Sequence, residues 1–197
     1  MNGLTPEALD LLFLKARTHV AWRAEAIDEQ VLRSIYDSAR MAPTAMNAQP
    51  LRVHFVRSPE AKRKLLDCLS SGNVDKTRAA PVTAILAADL EFYKQLPKLA
   101  PYMEGALERF AADPEGAERF ARMNATLQSA YFIIAARAHG LDCGPMGGFD
   151  APKLDATFFA ERPWRSIMLL NLGHGDPAKN RPRAARLDFD EACVVDE

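Results

Sequence analysis

One long helical signal limits what this chain can become. From about Glu115 to His139 the residues recur with helical spacing, and Gly140 supplies the stop. Phe120, Leu127, Tyr131 and Ile134 mark the expected inner stripe. From Ser129 to Ala138 the segment is apolar almost all round, which predicts burial on several sides. This helix reads as the central packing element.

Helices and strands alternate around it. Thr5 and Pro6 cap a helix over residues 5 to 17 that carries Leu9, Leu12 and Phe13 at helical spacing. A second helix starts at Asp28 and runs through Val31, Leu32, Ile35 and Ala39 to Met41. "LRVHFVR" places Leu51, Val53 and Phe55 on one strand face. "SPEAKRKLLDCL" opens with Ser58 as cap and Pro59 at the first helical position, with Leu65, Leu66 and Leu69 inward. "PVTAILAAD" is a short apolar run, as a central strand buried on both faces requires. Residues 91 to 116 read as short helices or a lid rather than core. "WRSIMLLNLGHGD" reads as a strand, and Asp188 with Glu191 as a capping box for a last short helix. The pattern predicts an α/β or α+β class.

At 197 residues the chain is expected to be a single domain, 1 to 197, with no linker or repeat. Its 25 basic and 26 acidic residues nearly cancel, so no global field draws it to nucleic acid or an anionic membrane. No segment has the ~18 consecutive apolar residues of a membrane span. The first residues lack the pattern of a signal peptide, which predicts a soluble, cytoplasmic protein. Cys68, Cys143 and Cys193 are widely spaced, and the four histidines show no ligand pairing. Neither a disulfide framework nor a metal site is expected.

Several segments carry candidate binding chemistry. "SARMAPTAMNAQP", residues 38 to 50, joins a helix to a strand with two prolines and four hydrogen-bonding side chains. That is more polar equipment than a connection needs. "KARTHVAWR" sets Arg17, Thr18 and His19 side by side, a phosphate grip or a surface turn. "SSGNVDK" offers Asn73 and Lys76 on one side of a helical turn, or merely a capping turn. "CGPMGGFD" brings three glycines and Pro145, either a plain turn or a backbone open to a flat ligand. The tail "KNRPRAAR" is a solvated basic stretch or an anion pocket built on arginine forks. "GHGDPA" fits a dinucleotide fingerprint in letters only. Pro177 and Pro182 obstruct the helix that such a turn must open.

In order along the chain, these segments resemble the nitroreductase family of FMN-dependent oxidoreductases. The resemblance runs from Arg17 to Arg183. It rests on "RTH", on "APTAMNAQP" against the family's "APSSxNxQPW", on Asn73 with Lys76, on "PMGGFD", and on Arg181 with Arg183. It implies an α+β fold with a mostly antiparallel sheet packed by helices, a long central helix and a domain-entwined homodimer. It also implies FMN at the subunit interface, with NAD(P)H as co-substrate in a ping-pong cycle. Arg17, Thr18, His19, Arg181 and Arg183 would then hold the phosphate and ribityl chain. Asn73 and Lys76 would address the pyrimidine edge. Pro145, Met146, Gly147 and Gly148 would lie near the reactive edge of the ring. Pro43, Thr44 and Asn47 would line the cradle, with Gln49 beside them. No side-chain acid or base is implied for the hydride step.

The segments "RTHVAWR", "SSGNVDK", "APVTAI", "EFY", "GLDCGPMGGFD" and "LDFDEAC" are most similar to the malonic semialdehyde reductase branch, associated with uracil breakdown. Many nitroreductases have an acid where this chain has Gly147, so its site is expected to be less negative and roomier, suiting a substrate with its own carboxylate. The competing expectations are a broad nitro or quinone reductase, and a flavin binder without catalysis.

Overall fold

The structure, a computed structural model, describes residues 3–196. In chain order, α1 is Pro6–Leu9, continued by a wide turn over Asp10–Leu14. Then come α2, Glu29–Ala39, β1, Leu51–Val56, and α3 and α4, Pro59–Leu66 and Ser71–Ala79. Strand β2 is Val82–Asp89. Short helices α5, Leu96–Leu99, and α6, Ala106–Ala112, lead into α7, Pro114–Ala138. Strand β3 is Asp142–Met146, α8 is Ala151–Phe158, β4 is Trp164–Gly173 and α9 is Phe189–Ala192.

Helix boundaries follow their local chemistry. Asp28 Oδ1 accepts from the N–H of Gln30 at 2.7 Å, and Ser58 Oγ from that of Ala61 at 3.1 Å. Gly140 ends α7 with φ +80°. The strands form one sheet in the order β1-β2-β4-β3, every pair antiparallel. All eight residues of β2 are buried, as its unbroken apolar run requires. Alternation divides them: Val82, Ala84 and Leu86 join the core under α7, while Ile85 and Ala87 join a second core with Leu65 and Leu154 of α3 and α8. Each large side chain buried this way contributes about 1.5–3 kcal/mol.

Three expectations change. The inner stripe of α7 is not the one its bulky residues suggested, because Leu127 and Tyr131 remain 43% and 40% exposed. Ala117, Ala121, Asn124, Ala125, Gln128 and Phe132 face inward instead. Small residues let the helix sit close to the sheet, and the bulk turns outward. Residues 91 to 116 do form short helices, yet they belong to the core. Phe92, Leu96 and Phe110 are buried there, and Phe92 stacks on Phe120 with centroids 5.1 Å apart. The first helix widens after Leu9 to a looser helical turn that ends at Leu14, and Leu9 and Phe13 stay exposed.

Candidate functional site

The segment after the first helix runs along the outer edge of β3. Thr18 bridges Cys143, and the N–H of His19 donates to the Cys143 carbonyl at 3.0 Å. The tail returns to the same place. Arg17 donates to the carbonyl of Arg181, and Arg183 donates to the carbonyls of Leu14 and Ala16 at 2.8 and 2.9 Å. Lys76 arrives from α4. Burial, and then the charge of Arg181, hold its ammonium below the ordinary lysine value. Among the described residues Arg17, Lys76, Arg181 and Arg183 have no carboxylate partner. Clustered cations left unpaired make a place for an anion.

Beside them, Asn73 Nδ2 donates to the Gly148 carbonyl at 2.7 Å, and the Ser70 N–H reaches the same oxygen at 3.1 Å. A Cβ on Gly148 would stand 2.6 Å from Asn73 Nδ2, so close approach requires glycine there. A Cβ on Gly147 would meet nothing within 4 Å. Pro145 lies within β3, paired with Leu170. The Met146 side chain turns inward, where its sulfur accepts from Thr77 Oγ1 at 3.6 Å. Met146 therefore offers a ligand its backbone only.

His19 departs from the expected phosphate grip. It is 7% exposed, its Nε2 lies 3.2 Å from Asp142 Oδ1, and Asn180 Nδ2 is 3.4 Å from both ring nitrogens. A Cβ on Gly175 would fall 1.8 Å from Nδ1. The imidazole clasps β3 to the segment after β4, and no ring nitrogen is left free for a phosphate.

The loop from Pro43 to Pro50 stands apart. It enters β1, and β1 and β3 are opposite edges of the sheet, separated by three strand spacings or about 14 Å. Among the described residues no hydrogen bond joins the loop to the cation cluster. Met46, Asn47 and Gln49 adopt φ of +58°, +50° and +45°. Left-handed backbone costs a non-glycine residue about 1–2 kcal/mol, so the surroundings must enforce it. Helix α7 does so with buried amides. Asn124 Oδ1 accepts from the N–H of Ala45 at 2.8 Å, and Gln128 Oε1 from that of Leu51 at 3.0 Å. Asn47 donates to the Leu99 carbonyl and accepts from Gln49 Nε2, both at 2.9 Å. Thr44 Oγ1 accepts from the Gln49 N–H at 3.2 Å, which leaves its hydroxyl proton free to donate.

Of the residues expected to share one site, the structure gathers Arg17, Thr18, Asn73, Lys76, Gly147, Gly148, Arg181 and Arg183. It leaves Pro43, Thr44, Asn47 and Gln49 on the far edge. Three contributors were missed. Asn124 and Gln128, four apart on a buried helix face, were a readable sign that something polar needed holding. Trp22 had no such sign. Its Nε1 donates to the Lys76 carbonyl at 3.0 Å, and a Cβ on Gly144 or Gly173 would come within 3.1 or 3.0 Å of its ring. A hollow of about 850 Å³ lies elsewhere, lined by Tyr36, Leu51, Arg52, Val53, Phe55 and Trp164 among others.

A family model described as Nitroreductase family matches residues 15–174. A protein from Leptothrix cholodnii, provisionally named an NADH dehydrogenase/NAD(P)H nitroreductase, is 55% identical over 194 residues, 98% of each chain. A relative of the same name from Ralstonia nicotianae is 49% identical over 99% of this chain and 100% of its own. In fold, the chain is similar to a protein from Exiguobacterium sibiricum, described provisionally as a nitroreductase and solved in complex with FMN. The TM-score is 0.84 at 18% identity, over 100% of both chains. The matched segment begins just before Arg17 and ends just after β4, so it contains the loop, Arg17 and Lys76, while Arg181 and Arg183 lie beyond it. The chain belongs to the nitroreductase family.

Proposed function

We propose that the protein is an FMN-dependent NAD(P)H oxidoreductase that reduces malonic semialdehyde to 3-hydroxypropanoate. The observation that carries the cofactor is the group of four cations without carboxylate partners beside the glycine-opened backbone at Gly147 and Gly148. That donor set fits FMN: a phosphate needs the cations, and a flat ring needs a wall without side chains. Arg17, Thr18, Arg181 and Arg183 would hold the phosphate end, while Asn73 and Lys76 would address the pyrimidine edge. There the Lys76 ammonium favours the extra negative charge of the reduced ring. When bound, FMN supplies the hydride relay between NAD(P)H and substrate.

The homodimer is part of the same reading. In one copy the loop leads into β1 and the cations gather at β3, edge strands about 14 Å apart, so a second copy's loop would serve as their cover. Two further features support it. Met123, Leu127 and Tyr131 expose an apolar stripe on α7. Leu187, Phe189, Val194 and Val195 of the tail are likewise exposed, interleaved with Asp188, Asp190, Glu191 and Asp196. The hollow beside β1 offers that tail the apolar surface of Val53, Phe55 and Trp164. We take residues 1–197 as one FMN-binding domain working in the cytoplasm, where a free, exposed Cys193 suits a reducing compartment.

The substrate rests on the open space at Gly147, which admits a carboxylate where an acidic side chain would repel it. A broad nitro or quinone reductase is the second reading, favoured by the names of the relatives. The test is kcat/KM of the yellow, FMN-loaded protein for malonic semialdehyde, a nitroaromatic and a quinone. Malonic semialdehyde is expected to lead, and Gly147→Glu to lower its kcat/KM about tenfold. A tenfold preference for the nitroaromatic would transfer the assignment to the second reading. A colourless protein that takes up no FMN would end both.

A further inference from the structure

We infer that Arg109 is the specificity residue that binds the carboxylate of the substrate, an inference that rests on the FMN-dependent reading above. Residues 91 to 113 are fixed to the core by rings. Phe92 lies 5.0 Å from Phe110 and Phe110 lies 5.0 Å from Phe120, centroid to centroid. Arg109 is therefore carried on a rigid mount. Its guanidinium is 5.1 Å from the Phe110 centroid, and Nη2 is 3.8 Å from the sulfur of Met46, in the middle of the left-handed loop. Asn47, the next loop residue, is bonded to Leu99 of the same segment. Loop and segment thus form one unit, so a ligand held against the loop would have Arg109 beside it.

Three arginines flank that loop, and two are already committed. Arg40 pairs with Asp37 at 3.3 Å, and Arg52 with Asp89 at 2.7 Å. Arg109 has no carboxylate partner among the described residues and is exposed. Arg17, Lys76, Arg181 and Arg183, which also lack a carboxylate partner among the described residues, lie on the β3 edge and are assigned to the cofactor above. Arg109 comes from the loop side, so it would address a substrate lying between the loop and the bound flavin. Its planar fork suits a carboxylate held in two hydrogen bonds. The required partner is a small anionic aldehyde; a neutral one would leave the fork unused.

The experiment uses the FMN-loaded protein, with Arg109→Ala and Arg109→Lys beside the wild type. Malonate, an unreactive dicarboxylate, is titrated while the visible absorbance of the flavin is followed, and again by calorimetry. The Kd for malonate is expected to rise about tenfold or more in Arg109→Ala, the size of one charge-assisted hydrogen bond, and less in Arg109→Lys. The ratio of kcat/KM for malonic semialdehyde over propanal is expected to fall by a similar factor, with FMN content unchanged. A malonate Kd within twofold of wild type in Arg109→Ala overturns the role of Arg109 while leaving the flavin enzyme standing. A wild type that binds FMN but neither binds malonate nor prefers malonic semialdehyde over propanal overturns the role together with the substrate assignment.

Discussion

The two edges of the sheet are built by different means. At the β3 edge, side chains are held by backbone atoms: Arg17 and Arg183 seize carbonyls, Asn73 closes on Gly148, and Trp22 ties the end of α4. Charge is concentrated there, and among the described residues Arg17, Lys76, Arg181 and Arg183 have no carboxylate partner. At the β1 edge, backbone is held by side chains: Asn124 and Gln128 fix a loop with three left-handed residues. The first edge is a charged grip and the second a shaped cover. In the homodimer proposed above, one copy would supply the grip and its partner the cover.

The sharpest way to break that comparison is to damage one edge in each of two variants. Asn47→Gly keeps the left-handed backbone while removing the side chain from the cover, and Arg17→Ala weakens the grip. Each alone should be nearly inactive. After subunit exchange the mixture should recover about a quarter of wild-type activity, because half the dimers are mixed and each mixed dimer holds one intact site. No recovery would mean that grip and cover serve within one chain. Next in size, Arg17→Ala should raise the Kd for FMN ten- to a hundredfold, read by flavin fluorescence, whereas Asn47→Gly should move it less.

A smaller effect is expected behind the cover. Gln128→Leu strands the N–H of Leu51 in the interior, which costs about 1–3 kcal/mol and lowers Tm by a few degrees, with the grip residues untouched. The smallest concerns Cys143 under the grip. Burial pushes its thiol from 9.0 up to about 12. Since the folded-state value is raised, the stability it reflects is whole below pH ~9 and is lost as the pH climbs toward ~12. At pH 8 an alkylating reagent should modify exposed Cys193 rapidly and Cys143 only on unfolding. Fast labelling of Cys143 would show that the β3 edge opens readily.

Much of the fold was legible because its signals are local. The apolar run of β2, the caps at Asp28 and Ser58 and the stop at Gly140 each act within a few residues. The long helix was legible too, but its orientation was not. Leu127 and Tyr131 look like core until the sheet demands close approach, and then Ala121 and Ala125 take their place. The same limit applies to the site. Residue types announced a grip at Arg17, Asn73, Lys76 and Arg183, and a special loop at Pro43 to Pro50. The clasp of His19 by Asp142 and Asn180 joins segments more than a hundred residues apart, which no local pattern encodes.

By itself, then, the sequence determined most of the elements, where along the chain the cations fall, and that the loop before β1 is no ordinary connection. Only the tertiary structure decided which face of α7 is inner, that His19 is spent on a clasp, that Arg109 stands free beside Met46, and that grip and cover lie on opposite edges. The physical reason is range. Caps, glycines and periodicity act over a few residues of chain, whereas strand order places β1 and β3 three spacings apart through hydrogen bonds between distant segments.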